Sequence, residues 1–211
     1  EMADFVALGF DLAFKYNNPA IILADGIIGQ MMEKVVLPPF RPRRTEEEIR
    51  KQMPWATQGK LAGHKRNVIT SLELDPAIME ENNIRFQAKY RKIEEAEVRY
   101  EEIGCENADY LMIAFGSMAR ICLKTQEMAL AEGIKVGVLR PITLWPFPSK
   151  IIAEYANKVK GMISVELNAG QMVEDIRLAV NGKVKVEHFG RLGGIVPTPD
   201  EVLNALKQKL M

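Results

Sequence analysis

The sequence predicts an α/β fold built on a mainly parallel sheet, and three observations carry the prediction. Short apolar runs suited to buried strands alternate with amphipathic helical patterns from Asp109 to the C-terminus. Glycine, proline and asparagine mark the junctions between them. The most regular stretch, residues 165–184 and then 190–202, reads strand, Asn/Gly turn, helix, strand, Gly-rich turn and Pro-marked helix start.

Residues 4–16 place Phe5, Leu8, Leu12 and Ala13 at helical spacing, and Asn17-Asn18-Pro19 stops that helix. Residues 20–24 read as a short buried strand. A helix and a strand with no sheet before them leave the helix's apolar face uncovered, which predicts the tail of a domain that begins outside this chain. Asp25-Gly26-Ile27-Ile28-Gly29-Gln30 then leaves the strand through two glycines. From residue 35 to 63 the periodicity dissolves, and Pro38, Pro39, Pro42 and Pro54 forbid continuous helix or central strand. Arg41, Arg43 and Arg44 form a small basic cluster there, readable as a solvated linker or as an interface with another chain. Residues 82–103 read as one long helix with the stripe Phe86, Tyr90, Ile93 and Tyr100, a Glu95–Arg99 pair one turn apart, and Gly104 as its stop.

Residues 110–115 are the first strand of the regular alternation. Gly116-Ser117 turns into a helix over 118–132, with Ser117 as the expected N-cap and Met118, Ile121, Cys122, Thr125 and Ala129 on one side. Residues 134–139 form a second strand, and a loop with Pro146, Phe147 and Pro148 leads to a helix over 149–158. Residues 162–167 form a third strand; Asn168 is the expected cap of the next helix, with Gln171 as its capping-box partner. Residues 184–189 form a fourth strand, and Thr198 or Pro199 opens a last helix to Leu210.

Composition narrows the function. Lys+Arg and Asp+Glu are both 28, so the chain lacks the broad positive field that holds nucleic acid. No apolar run approaches the ~20 residues of a membrane span, and no signal peptide opens the chain, which points to the cytoplasm. Cys105 and Cys122 are the only cysteines and His64 and His188 the only histidines. A single-chain iron–sulfur cluster needs about four cysteines at short spacings, and a zinc site would have to gather scattered residues. Cys122, at an apolar helical position, reads as a core residue.

The turns after the strands face the carboxyl edge of the sheet, where open α/β folds bind ligands. Gly116-Ser117 and Asn168-Ala169-Gly170-Gln171 each offer backbone N–H groups to an anion, although neither is a G-x-G-x-x-G or Walker sequence, and each reads more readily as a structural turn. Glu166, Glu174 and Asp175 lie near the same edge and could work as an acid–base pair, although the latter two sit in a helix's first turn, where negative charge is favoured anyway. No serine has an evident histidine partner. Ala24-Asp25-Gly26 lacks the preceding glycine and the following asparagine of a thiamine-diphosphate magnesium motif. No catalytic or metal-binding residue is assigned.

Three segments, ILADGIIGQMME from Ile22, NAGQMVEDIRLAVNG from Asn168 and GRLGGIVPTPDEV from Gly190, together resemble the alpha subunit of the 2-oxoacid:ferredoxin oxidoreductases, nearest to the 2-oxoisovalerate and 2-oxoglutarate enzymes. The resemblance covers nearly the whole chain. It implies an enzyme that oxidatively decarboxylates a 2-oxoacid with coenzyme A, giving an acyl-CoA, CO₂ and reduced ferredoxin. It also implies a thiamine-binding beta subunit holding thiamine diphosphate and Mg²⁺, and ferredoxin-like or gamma subunits carrying iron–sulfur clusters. On the same grounds residues 1–36 correspond to the end of a pyrimidine-binding-like domain, 37–105 to a connecting arm, and 106–211 to a transketolase C-terminal-like domain. The family's substrate-contacting segment and its thiamine-activating glutamate are not in this sequence, so the chain alone is expected to be inactive and mainly structural. A free-standing α/β interaction or small-anion-binding domain is the rival expectation.

Overall fold

In the computed structural model, residues 1–57, 59, 63 and 65–211 are described, and His64 lies outside them. The chain divides into two compact units, one of Glu1–Ile22 with Glu33–Lys89, the other of Leu23–Met32 with Tyr90–Met211.

In the first unit, α1 (Met2–Tyr16) ends where Asn17 takes the left-handed conformation, as the Asn-Asn-Pro sequence predicts. None of its residues is buried, and Phe10 and Phe14 remain largely exposed. Two of the three clustered arginines turn back onto it. Arg41 Nη1 donates to Asp11 at 2.7 Å, and the Arg44 guanidinium lies 5.8 Å from the centre of the Phe14 ring. Thr45 and Glu48 form a reciprocal capping box at the start of α3 (Glu46–Gln52). The strand expected over residues 20–24 is absent. Every strand among the described residues lies at or beyond Tyr100, so a five-residue apolar run here has no neighbouring strand with which to pair.

In the second unit, α2 (Gly26–Gln30) is a single short turn of helix. The expected long helix over 82–103 divides in two. Helix α4 (Pro76–Ala96), whose residues up to Lys89 belong to the first unit, starts earlier, where the Asp75 side chain accepts from the Ala77 N–H at 2.8 Å, and β1 (Tyr100–Ile103) follows it. Strand pairing overrides the helical pattern: Tyr100 to Ile103 run antiparallel to β3 (Val136–Pro141). Arg99 bonds Glu97 at 2.8 Å rather than Glu95, and Gly104 follows a strand rather than a helix.

The remaining elements follow the predicted alternation, within two or three residues at most boundaries: β2 (Tyr110–Ile113), α5 (Gly116–Ala131), β3, α6 (Ser149–Tyr155), β4 (Gly161–Glu166), α7 (Met172–Val180), β5 (Lys185–Gly190) and α8 (Pro199–Leu210). The sheet order is β1-β3-β2-β4-β5, with β2, β3, β4 and β5 parallel and β1 antiparallel at one edge. Alternation along the strands builds two cores. Met112 and Ala114 point with Val138, Ile163 and Val165 toward α5 and α8, whereas Leu111 and Ile113 point with Leu139 and Met162 toward α6 and α7. All nine of those residues are essentially excluded from solvent. At about 1.5–3 kcal/mol per buried aliphatic side chain, this double-sided burial is the main force holding the unit together. Thr198 and Glu201 form the capping box of α8, with Pro199 in its first turn.

Candidate functional site

Strands β2 and β4 are neighbours, and the helices that follow them leave to opposite faces, α5 into one core and α7 into the other. The carboxyl ends of β2 and β4 therefore form a topological switch point, the usual ligand crevice of an open α/β sheet. The turn candidates Gly116, Ser117, Asn168, Gly170 and Gln171 all lie at the ends of these two strands. The start of each following helix is held by a carboxylate of the chain itself.

At α5 the expected N-cap, Ser117, lies inside the helix, and the cap position, Phe115, makes no side-chain bond. Asp25 fills the role from 92 positions earlier in sequence. Its Oδ2 accepts from the Ser117 N–H at 3.0 Å and its Oδ1 from the Ser117 hydroxyl at 2.9 Å, while Oδ1 also accepts from the Ile28 N–H at 2.9 Å and so caps α2. Burial raises the Asp25 carboxyl, but the Ile28 and Ser117 donors outweigh it and hold the group below the usual carboxylate range.

At α7 the Asn168–Gln171 capping box does not form. Asn168 Oδ1 instead accepts from the Gly170 N–H at 2.7 Å, a local Asx turn, and Gln171 occupies the cap position without a side-chain bond. The cap is Glu166, only 3% exposed. Its Oε2 accepts from the N–H groups of Gln171 at 3.0 Å and Met172 at 2.9 Å, and its Oε1 from the Val173 N–H at 3.0 Å and the Ser164 hydroxyl at 2.7 Å. Burial pushes this carboxyl up, and the Ser164 hydroxyl with the three backbone donors more than offsets the push, leaving it below the ordinary glutamate range. With its carboxylate fully committed to donors, Glu166 is a helix cap; Glu174 and Asp175 are exposed on the first turn of α7.

His188, on β5 beside Ser164, packs beneath the Asn168–Gly170 turn. Its Nε2 lies 3.9 Å from Glu166 Oε1 and makes no hydrogen bond. Gly190 is required by the close approach of that turn, since a Cβ there would stand 2.1 Å from the Asn168 carbonyl oxygen. Sequence reasoning missed the roles of Asp25, Ser164 and His188 at this edge. The Asp25-Gly26 pair was a legible helix-start signal for α2, but nothing local to residue 117 points to a partner so remote.

Residues 108–202 match the family model of the pyruvate:ferredoxin oxidoreductase core domain II. The match runs from just before β2 into α8 and contains the whole switch point. Over 208 residues the chain is 43% identical to ketoisovalerate oxidoreductase subunit VorB of Methanothermobacter thermautotrophicus, aligning 99% of this chain with 57% of that one. It is 28% identical over 232 residues to 2-oxoglutarate synthase subunit KorA of Methanothermobacter marburgensis, aligning 98% of this chain with 60% of that one. Among solved structures, the 2-oxoglutarate:ferredoxin oxidoreductase of Magnetococcus marinus superposes with a TM-score of 0.58 at 26% identity, covering 66% of this chain and 24% of that one. The chain thus resembles subunits of 2-oxoacid oxidoreductases and spans a little over half the length of the curated relatives it matches. No helix among the described residues is long and apolar enough to cross a membrane.

Proposed function

We propose that this chain is part of an alpha-type subunit of a 2-oxoacid:ferredoxin oxidoreductase and that its task is to build and brace the complex rather than to perform chemistry. The observation that carries the reading is the 43% identity sustained over 208 residues, 99% of the chain. The higher identity to the ketoisovalerate-named relative than to the 2-oxoglutarate-named one, 43% against 28%, favours a branched-chain 2-oxoacid as the substrate of the whole enzyme. In this reading residues 1–36 end a pyrimidine-binding-like domain, 37–105 form a connecting arm, and 106–211 are the transketolase C-terminal-like domain.

The cofactors of such an enzyme do not fit the residues of this chain. Cys105 and Cys122 are buried in different cores, on opposite faces of the sheet, where no cluster could bridge them. The Asp25 carboxylate is committed to two helix starts, which removes it as a magnesium ligand. Among the described residues no three histidine, cysteine, aspartate or glutamate side chains gather as a metal ion would need. In this reading thiamine diphosphate, Mg²⁺ and the clusters belong to partner subunits, and coenzyme A and ferredoxin to the holoenzyme. The rival reading, a free-standing anion-binding domain, is weakened because Asp25 and Glu166 already occupy both anion seats.

The test is co-expression of the full-length subunit with a thiamine-binding partner, followed by sizing chromatography and a coenzyme A-dependent ferredoxin-reduction assay. Co-migration, with ketoisovalerate turned over faster than 2-oxoglutarate, is the expected result. Turnover of any oxoacid by the isolated 211-residue chain would overturn the proposal.

A further inference from the structure

The segment Leu23–Met32 belongs to the α/β unit, although the residues on either side of it, Ile22 and Glu33, belong to the other unit. It lies against the first turn of α5 at several points. Asp25 bonds Ser117 through two groups. The Ile28 Cδ1 lies 3.7 Å from the Cβ position above Gly116. Further along, Arg120 Nη1 approaches the Met31 sulfur at 4.0 Å.

We infer that Leu23–Met32 is a strap latched by Asp25, and that the strap and the first turn of α5 open and close as one unit. The physical basis is that one carboxylate completes two helix starts. Its Oδ1 is shared between the Ile28 N–H of the strap and the Ser117 hydroxyl of α5, and its Oδ2 takes the Ser117 N–H. Withdrawing the Asp25 carboxylate uncaps both helices, and a strap lifted from α5 would not keep α2, which at five residues is far below the length at which a helix persists alone. Little else fastens the strap. Leu23 is 67% and Met32 98% exposed, and no residue of α2 is buried. A segment with few buried contacts and one carboxylate anchor opens locally without global unfolding.

Amide hydrogen exchange on the full chain, read residue by residue, tests the latch. In the unsubstituted chain the Ile28 and Ser117 amides exchange with the same protection, because one opening exposes both. Asp25→Ala raises exchange at both by about tenfold or more, the loss of a charged hydrogen bond, and leaves Met172 and Val173, which Glu166 holds, unchanged. Ser117→Ala, which keeps the backbone bond and removes only the hydroxyl, raises exchange at Ile28 by a smaller factor and so transmits a change on α5 to the strap. Faster exchange at Ile28 with Ser117 unmoved in Asp25→Ala, or no change at Ile28 in Ser117→Ala, would overturn the inference. Because the second variant keeps the buried core untouched, the test stands even if the first unfolds.

Discussion

Glu166→Gln isolates the carboxylate that holds α7. The side chain keeps its shape but exchanges one acceptor oxygen for an NH₂ donor. Turned toward Gln171 and Met172, that NH₂ would face two backbone N–H donors; turned the other way, it faces the Val173 N–H and the Ser164 hydroxyl, which alone can rotate to accept. The better orientation still leaves one buried donor unpaired and removes the negative charge from the others. Hydrogen bonds to a charged group contribute about 1.5–3 kcal/mol each, and an orphaned buried donor costs about 1–3 kcal/mol. A loss of roughly 3 kcal/mol follows, read as a lower urea midpoint at unchanged slope. The difference depends on pH in a defined direction. The folded-state pKa of Glu166 lies below its unfolded value, so its contribution is complete above about pH 5 and declines as pH falls through the folded value. The gap between the parent chain and Glu166→Gln should therefore be flat from neutral pH to about pH 5 and close in acid. A loss under about 0.5 kcal/mol at pH 7, the scale of an ordinary surface substitution, or a gap that widens in acid, would refute the capping argument.

Gly190→Ala drives a methyl into the Asn168 carbonyl, 2.1 Å away, and should displace the 168–170 turn with a loss of about 2–4 kcal/mol, seen as a lower urea midpoint and as faster exchange of the Gly170 amide. Burial holds the thiol of Cys105 up at about 11 and raises that of Cys122 further, so neither should react with a disulfide reagent at pH 8 until the chain unfolds, followed as thiol release against time. Thr198→Ala removes the acceptor for the Glu201 N–H and should destabilise by about 1 kcal/mol, measured by urea titration, without altering exchange at α7.

The order of strands and helices from Tyr110 onward was legible because strand-length apolar runs alternate with helical stripes, and the Thr198-Pro199 start of α8 because its capping residues lie only three positions apart. β1 was not legible. Tyr100-Glu101-Glu102-Ile103 has no strand alternation of its own and continues the stripe of α4, and only the free side of β3 makes it a strand. The caps at the switch point were misplaced for a related reason. Ser117 and Asn168 are the residue types that cap helices locally, whereas carboxylates reaching from Asp25 and from within β4 hold first-turn donors with a full charge. Local chemistry predicted that those donors needed an acceptor but could not name the residue that won.

β1 also bears on how the α/β unit can be dissected. It lies before the 108–202 stretch that matches the family model, yet it covers one side of β3 from Val138 to Pro141. A fragment trimmed to the matched stretch would present that side of β3 as an open row of amide and carbonyl groups, flanked by apolar side chains. Unprotected rims of this kind template intermolecular pairing. Such a fragment should self-associate where one starting upstream of Tyr100 stays dispersed, so the antiparallel strand works as a guard rail for the sheet.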